Sequence, residues 1–84
     1  MNYKAKLLFE LQNYNIKKPD EITYINENDK DKNRLIWYLE NGLFALDVVE
    51  PNINYLYQVE NQKIKIGTLK SIDEVIVLAL KFLQ

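Results

Sequence analysis

Leu35-Ile36-Trp37-Tyr38-Leu39-Glu40-Asn41-Gly42-Leu43-Phe44-Ala45-Leu46-Asp47-Val48 is the stretch that decides the fold. Asn41-Gly42 between two apolar runs is the strongest short hairpin signal, because both residues tolerate the positive φ of a type I′ turn. A two-residue loop there predicts the pairs Glu40–Leu43, Leu39–Phe44, Trp37–Leu46 and Leu35–Val48. Leu35, Trp37, Leu39, Phe44, Leu46 and Val48 then share one face, and Ile36, Tyr38, Ala45 and Asp47 take the other, with Asp47 opposite Ile36. A strand buried on one side demands this alternation.

A second hairpin follows. With Asn61-Gln62 as its loop, Glu60 pairs with Lys63, Val59 with Ile64, Tyr57 with Ile66 and Tyr55 with Thr68. One face is again apolar, and Glu50-Pro51-Asn52 turns the chain between the hairpins. Upstream, Glu27 to Asn33 is wholly polar and reads as an exposed loop. Residues 21–26 fit either a short strand or a helical turn after Pro19.

Both ends of the chain read as helix. Residues 3–14 place Leu7, Leu11 and Tyr14 at i, i+4 and i+7, with Leu8 and Tyr3 beside them. Asn13 and Asn15 fray that helix, and Pro19 bars its continuation. Phe9 and Ala5 fall on its opposite side. Ser71-Ile72-Asp73-Glu74 is a capping box that opens a helix running toward the end of the sequence. Ile72, Val75, Ile76, Ala79, Leu80, Phe82 and Leu83 form its apolar side, leaving Val77 and Leu78 with the charged residues. The expected fold is α+β: a single domain over residues 1–84, an antiparallel β-meander of four to five strands flanked by an N-terminal and a C-terminal helix.

Composition closes most routes to chemistry. In 84 residues there is no His, no Cys, one Ser and two Gly. The common general base at neutral pH is therefore missing, as are thiolate metal sites and disulfides. Ser71 is occupied as a helix cap, and isolated Gly42 and Gly67 make no phosphate-cradling loop. Carboxylates remain, but Asp47 reads as solvated, so we expect neither catalysis nor a cofactor nor a metal. Without Cys, and with neither an apolar leader after Met1 nor a run of roughly 18–20 apolar residues, the chain is expected to be soluble and cytoplasmic, with no membrane partner. The net charge of −1 supplies neither the basic surplus of a nucleic-acid binder nor the acidic surplus of a DNA mimic.

Two resemblances are visible. Asp29, Asp31 and Asn33 with Ile36 and Glu40 resemble a calcium-binding EF-hand loop at positions 1, 3, 5, 8 and 12, but Arg34 stands where the turn needs Gly. We read that segment as a solvated loop entering a strand. In general character the chain is similar to the small inhibitors carried by phages and mobile elements, anti-CRISPR proteins among them. It is short, it lacks the usual catalytic residues, and Asn, Lys and Ile make up 29 of 84 positions, as in translation from AT-rich DNA. The resemblance implies docking onto a host enzyme.

Phe9, Ile36, Tyr38, Leu43, Leu56, Val77 and Leu78 are left over once the expected core is filled. A contiguous group of that kind is what interfaces look like. The expected function is a non-catalytic protein-binding module, an inhibitor docking onto a host protein of a nucleic-acid-processing defence complex. Its partner-binding residues would be Ile36, Tyr38, Leu56 and Gln58 on the outer sheet face, with Glu27, Asp29 and Asp31 reaching a basic surface. The alternatives are a self-associating subunit, a homodimer through Phe9 or Val77/Leu78, and a weak single-stranded nucleic-acid binder using Lys63, Lys65 and Lys70.

Overall fold

A computed structural model describes residues 2–83. In chain order these form α1 (Tyr3–Asn13), β1 (Glu21–Asn26), β2 (Asp29–Leu39), β3 (Gly42–Val49), β4 (Asn52–Val59), β5 (Gln62–Leu69) and α2 (Ile72–Phe82). The strands build one antiparallel sheet in the order β1-β2-β3-β4-β5, a meander in which every strand pairs with its neighbour in sequence. The fold is α+β with five strands. No helix among the described residues is long and apolar enough to cross a membrane.

Both helices pack on the same face of the sheet. Leu7, Leu11 and Ile16 from α1 and its exit meet Val75, Ile76 and Ala79 of α2 over Leu35, Trp37, Phe44, Leu46, Val48 and Ile53. Trp37 and Phe44 are direct cross-strand partners with ring centroids 5.8 Å apart, and Phe82 of α2 extends the group by stacking on Tyr57 at 4.1 Å. The indole N–H of Trp37 donates to the carbonyl of Lys17 at 2.8 Å, which ties the chain between α1 and β1 to the core.

Helix ends follow capping chemistry. Asn2 caps α1 by accepting from the Ala5 N–H at 2.8 Å, and Ser71 caps α2 by accepting from Glu74 at 3.2 Å. The Glu74 carboxylate reaches back to the Lys70 N–H. Asn15 does not fray α1; it closes it. With φ of 61°, Asn15 donates to Gln12 O, and Ile16 donates to Leu11 O with its side chain buried, a Schellman ending.

Residues 21–26 form the short strand rather than the helical turn. Several expectations are corrected. The polar stretch is no loop: only Glu27-Asn28 turns, and β2 begins at Asp29. Asp29, Asp31, Asn33 and Ile36, which resembled a calcium loop, are therefore spread along a strand, with Glu40 in the turn beyond it. The Asp31 N–H donates to Asp29 Oδ1, and Asn33 is buried with its amide on Thr23 O. The first hairpin slips by two residues: Leu39 pairs with Gly42, Trp37 with Phe44 and Leu35 with Leu46. The cause is Gly42, where a Cβ would lie 1.8 Å from the Gln58 carbonyl oxygen. Its missing side chain lets β4 approach, so it belongs in the strand and leaves the turn to Glu40-Asn41. An even slip keeps every residue on its expected face.

The second hairpin differs more. Glu60 and Asn61 form its turn with φ of 53° and 65°, so Glu60 pairs with nothing across the ladder. A bulge between Tyr57 and Gln58 then leaves Ile64 without a partner, and Tyr57 faces Lys65 while Tyr55 faces Gly67. That odd slip reverses the far part of β5: Ile66 lies on the outer face beside Leu56, not on the helix face beside Tyr57. The Tyr55 ring covers Gly67, at 2.7 Å from where a Cβ would stand. Asp47 faces Arg34 rather than Ile36, and Leu78 is half-buried against the core, which removes it from the surplus. Val77 stays exposed.

A candidate partner-binding face

Ladder pairing arranges the outer face into three rows that cross the sheet. The middle row runs Glu21–Ile36–Ala45–Leu56–Ile66. One flank is Tyr38–Leu43–Gln58–Lys63. The other is Thr23–Arg34–Asp47–Asn54–Thr68. Among the described residues no helix lies over these rows, since both helices use the opposite face. Ile36, Leu43 and Leu56 are half-buried among their neighbours, and Ile66, at the free edge, is 63% exposed. Ala45 floors a shallow hollow of about 280 Å³ lined by Ile36, Leu43 and Leu56 with Arg34, Asp47 and Ile66 at its rim.

The polar flank is internally satisfied. Arg34 grips Asp47 with two hydrogen bonds, 2.7 and 2.9 Å, and Thr68 donates to Asn54 at 2.8 Å. The bond to Asp47 raises the Arg34 pKa above its ordinary value, so its charge is permanent. A pair this exposed is worth at most about 1 kcal/mol; its effect is to hold both groups flat and mutually neutralised beside the apolar row. On the other flank, the Tyr38 hydroxyl donates to the Glu21 carboxylate, which raises the phenol pKa above its ordinary value, while the Tyr38 N–H donates to Asp20 at 2.7 Å. Tyr38 is 50% exposed yet held at both its backbone N–H and its hydroxyl. A fixed aromatic beside an apolar hollow loses little entropy on contact with another surface.

Ile36, Tyr38, Leu56 and Gln58 are brought together on this face. The acidic trio is not with them. Glu27 sits in the β1–β2 turn, and Asp29 and Asp31 alternate with the outer residues, sharing the side of Asn33 and the helices. Asp31 lines a hollow with Asn2, Tyr3 and Asn33, and Asp29 is engaged by Lys32 at 3.3 Å. The β5 lysines are also split: Lys63 lies on the outer face, and Lys65 lies across from Tyr57 on the helix side. Phe9, 54% exposed, borders a separate groove with Leu8, Pro19 and Ile22 between α1 and β1. Sequence reasoning missed Ile66. The signal was Gly67, since a glycine inside a strand often marks a nearby bulge or a close approach.

No protein-family model, curated protein or solved structure matches this chain.

Proposed function

We propose that this chain is a non-catalytic protein-binding module that engages a protein partner with the outer face of its sheet. The supporting observation is the Ile36–Ala45–Leu56–Ile66 row, an apolar band across a face left uncovered by both helices, flanked by a fixed tyrosine and a neutralised Arg–Asp pair. Five strands, three of them eight residues long, present roughly 24 by 26 Å, or about 600 Å². That approaches the ~800 Å² per partner of a standard interface, so a partner must occupy the whole face to hold. The complementary surface is apolar and weakly charged, with one protruding side chain for the hollow over Ala45.

The finer form of the proposal is an inhibitor, carried by a phage or mobile element in the manner of anti-CRISPR proteins, that acts on a host nucleic-acid-processing protein. Small size, the missing His and Cys and the Asn/Lys/Ile bias support it.

The test compares wild type, Ile36→Ser/Leu56→Ser and the exposed control Val77→Ser, all checked for a cooperative melt, as immobilised baits in host extract. A partner held by wild type and Val77→Ser but lost by the double variant is expected. Equal retention by all three contradicts the face. Wild type should then depress the captured protein's nuclease or DNA-binding activity, and unchanged activity removes the inhibitory part.

A further inference from the structure

The two free edges of the sheet carry opposite charge. Asp20 to Glu27, which spans β1, reads Asp-Glu-Ile-Thr-Tyr-Ile-Asn-Glu, with three carboxylates and no base. Gln62 to Lys70, which spans β5, reads Gln-Lys-Ile-Lys-Ile-Gly-Thr-Leu-Lys, with three bases and no acid. In a chain of net charge −1 these two segments thus carry −3 and +3, the acidic one partly offset by Lys17, whose Nζ lies 3.9 Å from Asp20 Oδ2. Both are end strands of the sheet, and each presents a row of backbone donors and acceptors to any further strand. Lys63, Lys65 and Lys70 are exposed and, among the described residues, form no ion pair. Asp20 and Glu21 are held by Tyr38 but remain on the edge; Glu27 is exposed in the turn.

The spacing matches as well. Because each neighbouring pair is antiparallel, β1 and β5 run in the same direction. Glu21 and Glu27 are six residues apart, and Lys63 and Lys70 seven. The bulge consumes one residue, since Lys63 and Lys65 face adjacent positions Gln58 and Tyr57. Both charged spans therefore cover six ladder steps, and Glu27 and Lys70 each stand one residue past their strand.

We propose that the chain associates head to tail with a second copy of itself, β5 of one beside β1 of the next in parallel, extending the sheet with all helices on one side. Pairing β5 with β5 or β1 with β1 would set like charges together. Head-to-tail contact is heterologous, so it continues into longer assemblies or closes into a ring. It is independent of the outer face, which stays open in the extended sheet.

Sedimentation velocity of the full chain tests this, at about 20 mM and about 500 mM salt, since screening weakens such contacts. Wild type should exceed its 10.0 kDa mass with rising concentration at low salt and return to it at high salt. Lys63→Glu/Lys65→Glu and Thr23→Lys/Glu27→Lys should each stay monomeric, and an equimolar mixture of the two should associate again, which also shows that both are folded. Leu56→Ser should associate as wild type does. A wild type monomeric at every concentration, reversal variants that associate unchanged, a mixture that stays monomeric, or loss of association in Leu56→Ser would each overturn the proposal.

Discussion

Gly42 and Gly67 answer to neighbours of different stiffness. A Cβ on Gly42 meets the Gln58 backbone at 1.8 Å, whereas one on Gly67 meets the Tyr55 ring, which can swing aside. Gly42→Ala should therefore cost about 3 kcal/mol and Gly67→Ala about 1 kcal/mol, in the range of overpacking. Urea denaturation measures both, and equal losses would show that the approach of β4 is not what holds Gly42 in place. Tyr38 gives a second residue-level test. Its phenol is held neutral by the Glu21 carboxylate, so its folded pKa lies above the ordinary 10.0. A raised folded value means the native state binds the proton more tightly; the contribution is complete below pH 10 and is lost as pH rises through the folded value. NMR titration of ring-labelled tyrosine should show Tyr38 ionising above pH 10 in the wild type, and closer to 10 in Glu21→Gln. An unchanged midpoint would remove Glu21 as the cause.

At the scale of elements, local chemistry was readable wherever parity alone set the outcome. The capping box at Ser71 was plain because it depends on four consecutive residues, and Ser71→Ala should lower stability by about 1 kcal/mol. The end of α1 was misread because Asn is common both in fraying turns and in left-handed closures. At Asn15, φ of 61° decides for closure. Asn15→Gly should be neutral, while Asn15→Val should cost about 1–2 kcal/mol, the penalty of a branched side chain in that region; a thermal melt separates the two. The central hairpin kept its faces despite a two-residue slip, and the β3–β4 ladder sets Leu56 against Ala45 and Gln58 against Leu43, so Ile36, Tyr38, Leu56 and Gln58 share the face expected from the sequence. The outer hairpin lost its faces to one bulge residue. Ile66 was consequently assigned to the wrong side, and the acidic trio was placed in a loop that is in fact a turn and a strand. A one-residue irregularity leaves no periodic trace, and only the Gly67–Tyr55 contact betrays it.

At the scale of the molecule, two helices cover one face and, among the described residues, nothing covers the other. The accessible surface is 5706 Å², against about 5200 Å² for a compact protein of this mass. The excess fits a slab of 34 × 30 × 21 Å, one sheet and one helical layer thick. Stability comes from the helix side, where Trp37, Phe44, Leu35 and Leu46 are fully buried. The outer side is thereby free to carry Ile, Leu and Tyr for another purpose. That division is the central claim, and a photo-reactive residue tests it most directly when placed at position 56 and, separately, at position 77 of α2. In extract, position 56 should cross-link to one protein species, competed by excess wild type but not by Ile36→Ser/Leu56→Ser, while position 77 yields no such product. A cross-link formed from position 77 and absent from position 56 would contradict the account.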